Sequence, residues 1–240
     1  MSAFDTEGFS TVTAAWAYTL IPVLAAIVGA VAATVMRPSA AVVSAIQHFA
    51  AGVVFAAAAG EILPDVMHGQ SPTATIIGGA VGVAAMLLVK ALETRFKGPA
   101  GLLTAVGVDV LIDGIVLGIG FAAGAKVGVL LTIALTLEVL FLGLTVAREL
   151  SETTQSRIRV VGVTAALVLL LPIGAVLATP VAILPGRVVT GFFAFGLIAL
   201  LYLVVEELLV EAHETPDRPW ITAMFFAGFL ALLVVEELIG

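Results

Sequence analysis

Eight stretches of about 20 apolar residues follow one another along the chain, each long enough to cross a hydrocarbon core about 30 Å thick. They fall at Ala14–Met36, Ala40–Leu63, Ala74–Leu92, Ala100–Ala122, Lys126–Arg148, Ile158–Ala178, Val188–Val210 and Pro219–Ile239. Lipid offers no partner to an unsatisfied backbone amide, so each stretch must close its own hydrogen bonds. That requires helices, because barrel strands would alternate apolar and polar residues. The expected fold is an all-α membrane protein of eight transmembrane helices, a single integral membrane domain over residues 1–240.

Composition excludes the competing classes. The chain is 61% hydrophobic and 11% charged, against about 45–50% and 25% in soluble domains. It contains no Cys, so neither a disulfide scaffold nor a thiolate metal site is available. Its ten basic residues form no patch, so nucleic acid is not an expected partner. Met1–Ser10 is acidic and polar rather than basic, unlike a signal peptide.

The basic residues predict orientation. With the N-terminus outside, the cytoplasmic loops hold Arg37, Lys90, Arg95, Lys97, Arg148, Arg157, Arg159 and Arg218, leaving only Lys126 and Arg187 on the other side. Such a bias follows the positive-inside rule and places both termini outside the cytoplasm. The expected location is the cell membrane, as a multi-pass protein.

Of the 17 acids, Asp5, Glu7, Asp65, Glu93, Glu149, Glu152, Glu214 and Asp217 read as tail or loop residues. Asp109, Asp113 and Glu138 instead lie inside apolar spans with no basic residue at mid-helix to pair with them. Each carboxylate at the bilayer centre costs about 2.5–3.5 kcal/mol even on the lenient insertion scale. Two explanations are open: protonated carboxyls hydrogen-bonded between helices, or a visiting cation.

Geometry favours the cation. Asp109 and Asp113 are spaced i, i+4, hence on one face of the fourth span. At 1.5 Å per residue Asp109 lies about 13 Å in from Ala100, and Glu138 about 18 Å down from Lys126 on the antiparallel fifth span. All three therefore reach a similar depth in a core about 30 Å thick. Clustered hard oxygen ligands suit a divalent cation. The strings DVLIDGIVLG from Asp109 and EVLFLGLTVA from Glu138 form a weak repeat in which Gly114 and Gly143 are expected to let the two backbones approach closely.

These strings resemble the paired His-Asn-Ile-Pro-Glu-Gly motifs of the ZIP (Zrt/Irt-like) divalent-metal transporters, in particular the short prokaryotic branch. HFAAGVVFAAAAGEILPDV from His48 is similar to that family's Gly-rich second helix. ALLYLVVEELLVEAHE from Ala199 is similar to its Tyr-Val-Val-x-Glu-Glu-Leu-x-Pro-Glu-Ala-His stretch, and FFAGFLALLVVEEL agrees with its last helix. The resemblance puts Asp109 and Glu138 at the two metal-binding His positions and Asp113 at the first acidic ligand. Val110, Val139 and Leu142 stand where the second, bridged metal position has polar or acidic ligands, and Phe141 replaces the Pro. The resemblance therefore implies one metal site rather than a binuclear one.

That family carries zinc, while an all-carboxylate ligand set suits harder ions, so zinc, manganese and iron all remain candidates. The transported metal is the only expected ligand, with no bound cofactor. Protons compete with metal for the carboxylates, which makes pH-sensitive uptake an expectation. Further acids sketch a route: Glu61 and Asp65 at the outer mouth, and Glu206, Glu207, Glu211 and the adjacent His213 at the inner mouth, each equally readable as solvated helix ends. His48 reads either as an interhelical hydrogen bonder or as a metal or gating ligand. Glu236 and Glu237 read as an interfacial stop.

The resemblance implies alternating access, with the first, fourth, fifth and sixth helices moving against the other four. The chain reads as a secondary transporter rather than an enzyme; a Gly-x-Gly-Asp protease signature and a Gly-x4-Gly-Lys-Ser/Thr nucleotide loop are both missing from it. A cation channel or a non-transporting metal sensor is the alternative function. Divalent cation and lipid bilayer are the expected partners, and a homodimer is left open.

Overall fold

In the computed structural model, residues 3–36, 39–95, 99–216 and 218–239 are described. Among them are no strands, and eight helices are long and apolar enough to span a membrane. We number these α1 (Ala3–Val35), α2 (Ala40–His68), α3 (Pro72–Arg95), α4 (Pro99–Ala123), α5 (Ala125–Thr153), α6 (Arg157–Ile183), α7 (Gly186–Ala212) and α8 (Pro219–Ile239). Large apolar side chains such as Leu24, Ile76, Phe226 and Leu230 are more than half exposed on the outside of the bundle. That is the reverse of a soluble protein and what a lipid-facing surface requires. The chain is a multi-pass membrane protein.

Several helices run past the expected ends. The sequence stops the second span at Leu63, but the helix continues to His68 and carries Asp65, which is therefore not a loop residue. Glu149 and Glu152 lie on α5, which extends to Thr153, and Lys90 lies on α3. Asp5 and Glu7 fall within α1. The apolar window marks the hydrocarbon-spanning part only, whereas the backbone keeps its helical hydrogen bonds until a breaker arrives. Arg37, Lys97 and Asp217, assigned to loops from the sequence, lie outside the described residues.

The closest helix pairs are α1 with α5, α4 with α6, α2 with α8 and α3 with α7. Their glycines explain why. A Cβ at Gly29 would fall on the Leu140 carbonyl oxygen, and one at Gly143 on that of Ala26. The same reciprocal contact recurs between Gly114 and the Leu171 carbonyl and between Gly174 and the Leu111 carbonyl. Gly52 and Gly228 repeat it through the Phe225 and Phe49 carbonyls. In each pair the glycine meets the carbonyl three residues before its partner glycine, a small-residue crossing that brings backbones together without a side chain between them. Gly114 and Gly143 therefore do not join α4 to α5, as the repeat suggested. They bind α4 to α6 and α5 to α1.

Exchanging α1 with α6, α2 with α7, α3 with α8 and α4 with α5 maps this pairing onto itself, and the exchanged helices run in opposite directions. This is the pattern of an inverted repeat. It extends to local geometry. Both α2 and α7 widen into a π-helical turn, at Ala58–Ile62 and Leu203–Leu208. Glu61 and Glu207 sit in those turns, equally far from the first residues of their helices, Ala40 and Gly186.

Candidate functional site

Asp109 and Asp113 lie one turn apart on α4 and face Glu138 on α5. One oxygen from each carboxylate lies within 4.8 Å of the others. All three residues are buried, at 4%, 4% and 3% exposure. Metal–oxygen distances of about 2.0–2.6 Å allow two ligands of one cation to stand about 4–5 Å apart, so the separation fits a shared ion. Asp109 Oδ1, Asp113 Oδ2 and Glu138 Oε2 are buried without a hydrogen-bond partner. No salt bridge among the described residues reaches the three, and the further charge acting on Asp113 and Glu138 is another acid, Glu207.

The local sequence builds this arrangement. The i, i+4 spacing puts both aspartates on the α4 face turned towards α5. Small neighbours keep the helices close: Gly114, next to Asp113, seats α4 on α6, and Gly143 seats α5 on α1. Val110 and Val139, fully buried beside the acids, add only hydrocarbon to their surroundings. Among the described residues, Asp109, Asp113 and Glu138 are the one group of three acids close enough to share an ion.

A cavity of about 30 Å³ adjoins it, lined by Asp109, Glu138, Thr145, Glu207 and Glu211 together with apolar groups. That is room for about two water molecules. It connects the cluster to the α7 acids. Glu206 and Glu207, read together from the sequence, part company here. Glu206 is exposed and its Oε2 accepts a hydrogen bond from Lys90 Nζ on α3 at 3.0 Å, whereas Glu207 lines the cavity. Both stand in the π turn over Leu203–Leu208, a local widening of the helix that is frequent at functional sites. Helix α7 ends at Ala212, so Glu214 lies in a turn rather than on the helical face shared by Glu207 and Glu211.

Glu211 also accepts a hydrogen bond from Gln47 Nε2 at 2.7 Å, and Ser44 Oγ donates to the Ala212 carbonyl at 2.7 Å. These bonds tie α2 to the end of α7. Sequence reading passed over Gln47 and Ser44, although two polar residues beside His48 in an apolar helix are themselves a signal. His48 is 1% exposed. Its Nδ1 is bonded to the Ser44 carbonyl at 2.9 Å, within its own helix, so the interhelical bond expected of it is not made. Its ring lies 5.0 Å from that of His213, whose Nδ1 is bonded to the Leu209 carbonyl at 2.5 Å. A carbonyl can only accept, so Nδ1 of His48 carries a proton, while its Nε2 is buried and unpartnered.

Glu61 and Asp65 lie at the other end of α2, away from the three-carboxylate cluster. Glu61 is near Glu236 and Lys126, and Lys126 Nζ is 3.5 Å from Glu236 Oε1. Glu236 is thus an ion-pair partner of α5 rather than only an interfacial stop. No protein-family model matches the chain, and no curated protein was found to match it.

Proposed function

We propose that the protein carries a divalent metal cation across the cell membrane by alternating access, in the manner of the ZIP transporters its motifs resemble. The observation that carries this reading is the convergence of Asp109, Asp113 and Glu138 within 4.8 Å, buried, with an unpartnered oxygen on each. Three ionised acids without a basic partner are costly in a membrane, and a bound cation would offset that cost. The cation is the substrate. Oxygen ligands alone suit zinc, manganese or iron, with manganese and iron favoured by hardness and zinc by the family resemblance.

The route begins at Glu61 and Asp65, passes the central cluster and leaves past Glu207 and Glu211. Both termini lie outside the cytoplasm in this reading, which puts the Glu207 end inside. The helices α1, α4, α5 and α6 carry the ion, and α2, α3, α7 and α8 form the frame they move against. The small size of the cavity beside the cluster favours a carrier over an open channel.

Flux of Zn²⁺, Mn²⁺ and Fe²⁺ into proteoliposomes tests the proposal. Saturable uptake that Asp109→Ala abolishes is the expected result. Fast, non-saturating flux would make the protein a channel, and no flux with retained metal binding would make it a sensor. Undiminished uptake of every metal by Asp109→Ala would overturn the site.

A further inference from the structure

A groove of about 530 Å³ runs along the outside of the bundle where α3 crosses α7, with Ile115 of α4 beside it. Small residues create it. Gly78 lies so close to α7 that a Cβ would fall on the Gly191 carbonyl oxygen, and Ala74 and Gly191, which line the groove, carry too little side chain to fill it. From Arg187 to Phe195 on α7, and from Thr73 to Val81 on α3, the groove follows the helices for about 12 Å. The crossing that the inverted repeat sets in its place, α2 with α8, packs its own rings together: Phe55 lies 5.9 Å from Phe225 and 6.2 Å from Phe229. Phe192 and Phe195 line an open groove instead.

One charged side chain lines the groove, and it is basic. Arg187 stands exposed at the start of α7, and no acid lines the groove with it. It is one of the two basic residues that the sequence sets apart from the cytoplasmic loops. The other, Lys126, pairs with Glu236, whereas among the described residues no salt bridge reaches Arg187.

We propose that this groove seats an acyl chain of an anionic phospholipid whose phosphate is held by the Arg187 guanidinium. Ile77 and Val81, 64% and 53% exposed, present hydrocarbon along the groove, and a lipid tail is the apolar partner that a membrane supplies. Such a tail leaves hydrocarbon for hydrocarbon, so selection rests on the headgroup. A guanidinium offers a planar fork that matches phosphate oxygens two at a time, and an unpaired one favours a lipid with net negative charge. A second copy of the chain fits less well, because a two-fold contact through this groove would set Arg187 against Arg187. Ile115 lies two residues beyond Asp113, so the seated lipid touches the helix that carries the central cluster. The lipid site stands whether or not the protein carries metal.

The test places a reporter in the groove. In the full chain, Trp16→Phe and Trp220→Phe remove both native indoles, and Phe195→Trp introduces one about 12 Å along α7 from Arg187. The protein is reconstituted in mixed phosphatidylcholine and phosphatidylglycerol vesicles in which one lipid or the other carries bromine on its acyl chains, and fluorescence quenching gives their relative affinity at the indole. Phosphatidylglycerol is expected to be preferred about fivefold. Arg187→Gln should abolish that preference, Arg187→Lys should keep part of it, and Arg159→Gln should leave it unchanged. Phe192→Trp is the alternative reporter should the first fail to fold. Equal quenching by the two lipids, or a preference that survives Arg187→Gln, overturns the proposal. Loss of the preference in millimolar inorganic phosphate would make this a free-anion site, and quenching by neither lipid, with cross-linked dimers, would make it a contact between copies; either result overturns the lipid site.

Discussion

Each carboxylate held at mid-membrane costs about 2.5–3.5 kcal/mol in insertion, and Asp109, Asp113 and Glu138 carry that cost within one small cluster. Neutralising one of them should therefore stabilise the metal-free protein while destroying its purpose. Asp113→Asn is expected to raise the metal-free Tm in detergent and to cut saturable metal uptake by at least about tenfold. The unmodified protein should gain about 2.7 kcal/mol at a metal concentration one hundred times Kd, seen as a Tm rise that a chelator reverses and Asp113→Asn lacks. Because carboxylates must lose protons before they ligate, metal affinity should fall as the medium is acidified. Calorimetric titrations at a series of pH values check this, and an affinity that does not change with pH would count against carboxylate ligation. At this scale much was legible: an acid inside a long apolar run identifies itself. Lys126 was not, since nothing in its neighbourhood along the chain announces that Glu236, from the far end of the sequence, comes to meet it.

Helices in lipid gain little from hydrophobic association, so what decides their neighbours is how closely backbones can approach. The reciprocal pairs Gly29 with Gly143, Gly114 with Gly174 and Gly52 with Gly228 do this at three crossings. Gly114→Leu would drive a side chain into the Leu171 carbonyl and displace the turn that holds Asp113. It should cost about 1–3 kcal/mol or more and reduce metal binding as well. Gly162 on α6 is the control, since nothing lies within 4 Å of an added Cβ there. Gly162→Ala should be neutral or stabilising by up to about 1 kcal/mol, measured as Tm in the same detergent. The sequence shows that glycines are many but not which helix each one faces. The π turns in α2 and α7 are equally hidden, for one extra residue per turn leaves no mark on hydrophobicity. Glu207, which lines the cavity, and Glu206, which pairs with Lys90, both stand in the α7 turn.

Across the whole molecule the helices sort into two sets, α1 with α4, α5 and α6, and α2 with α3, α7 and α8, and the Lys126–Glu236 pair crosses between them. A chain with no Cys makes this testable. In Lys126→Cys/Glu236→Cys a short thiol cross-linker should arrest uptake, and cleaving it should restore the rate. Uptake that continues at full speed while cross-linked would rule out movement of α5 against α8. What the sequence determined alone is the solvent, the number of spans and the presence of uncompensated acids, because length, hydrophobicity and charge are properties of each segment by itself. Only the tertiary structure decided that Asp109, Asp113 and Glu138 share one point, that Gly114 and Gly143 face outward from them, and that Glu61 meets Glu236 and Lys126. Those are contacts between segments distant along the chain, set by which backbones can approach, and no single stretch of residues encodes them.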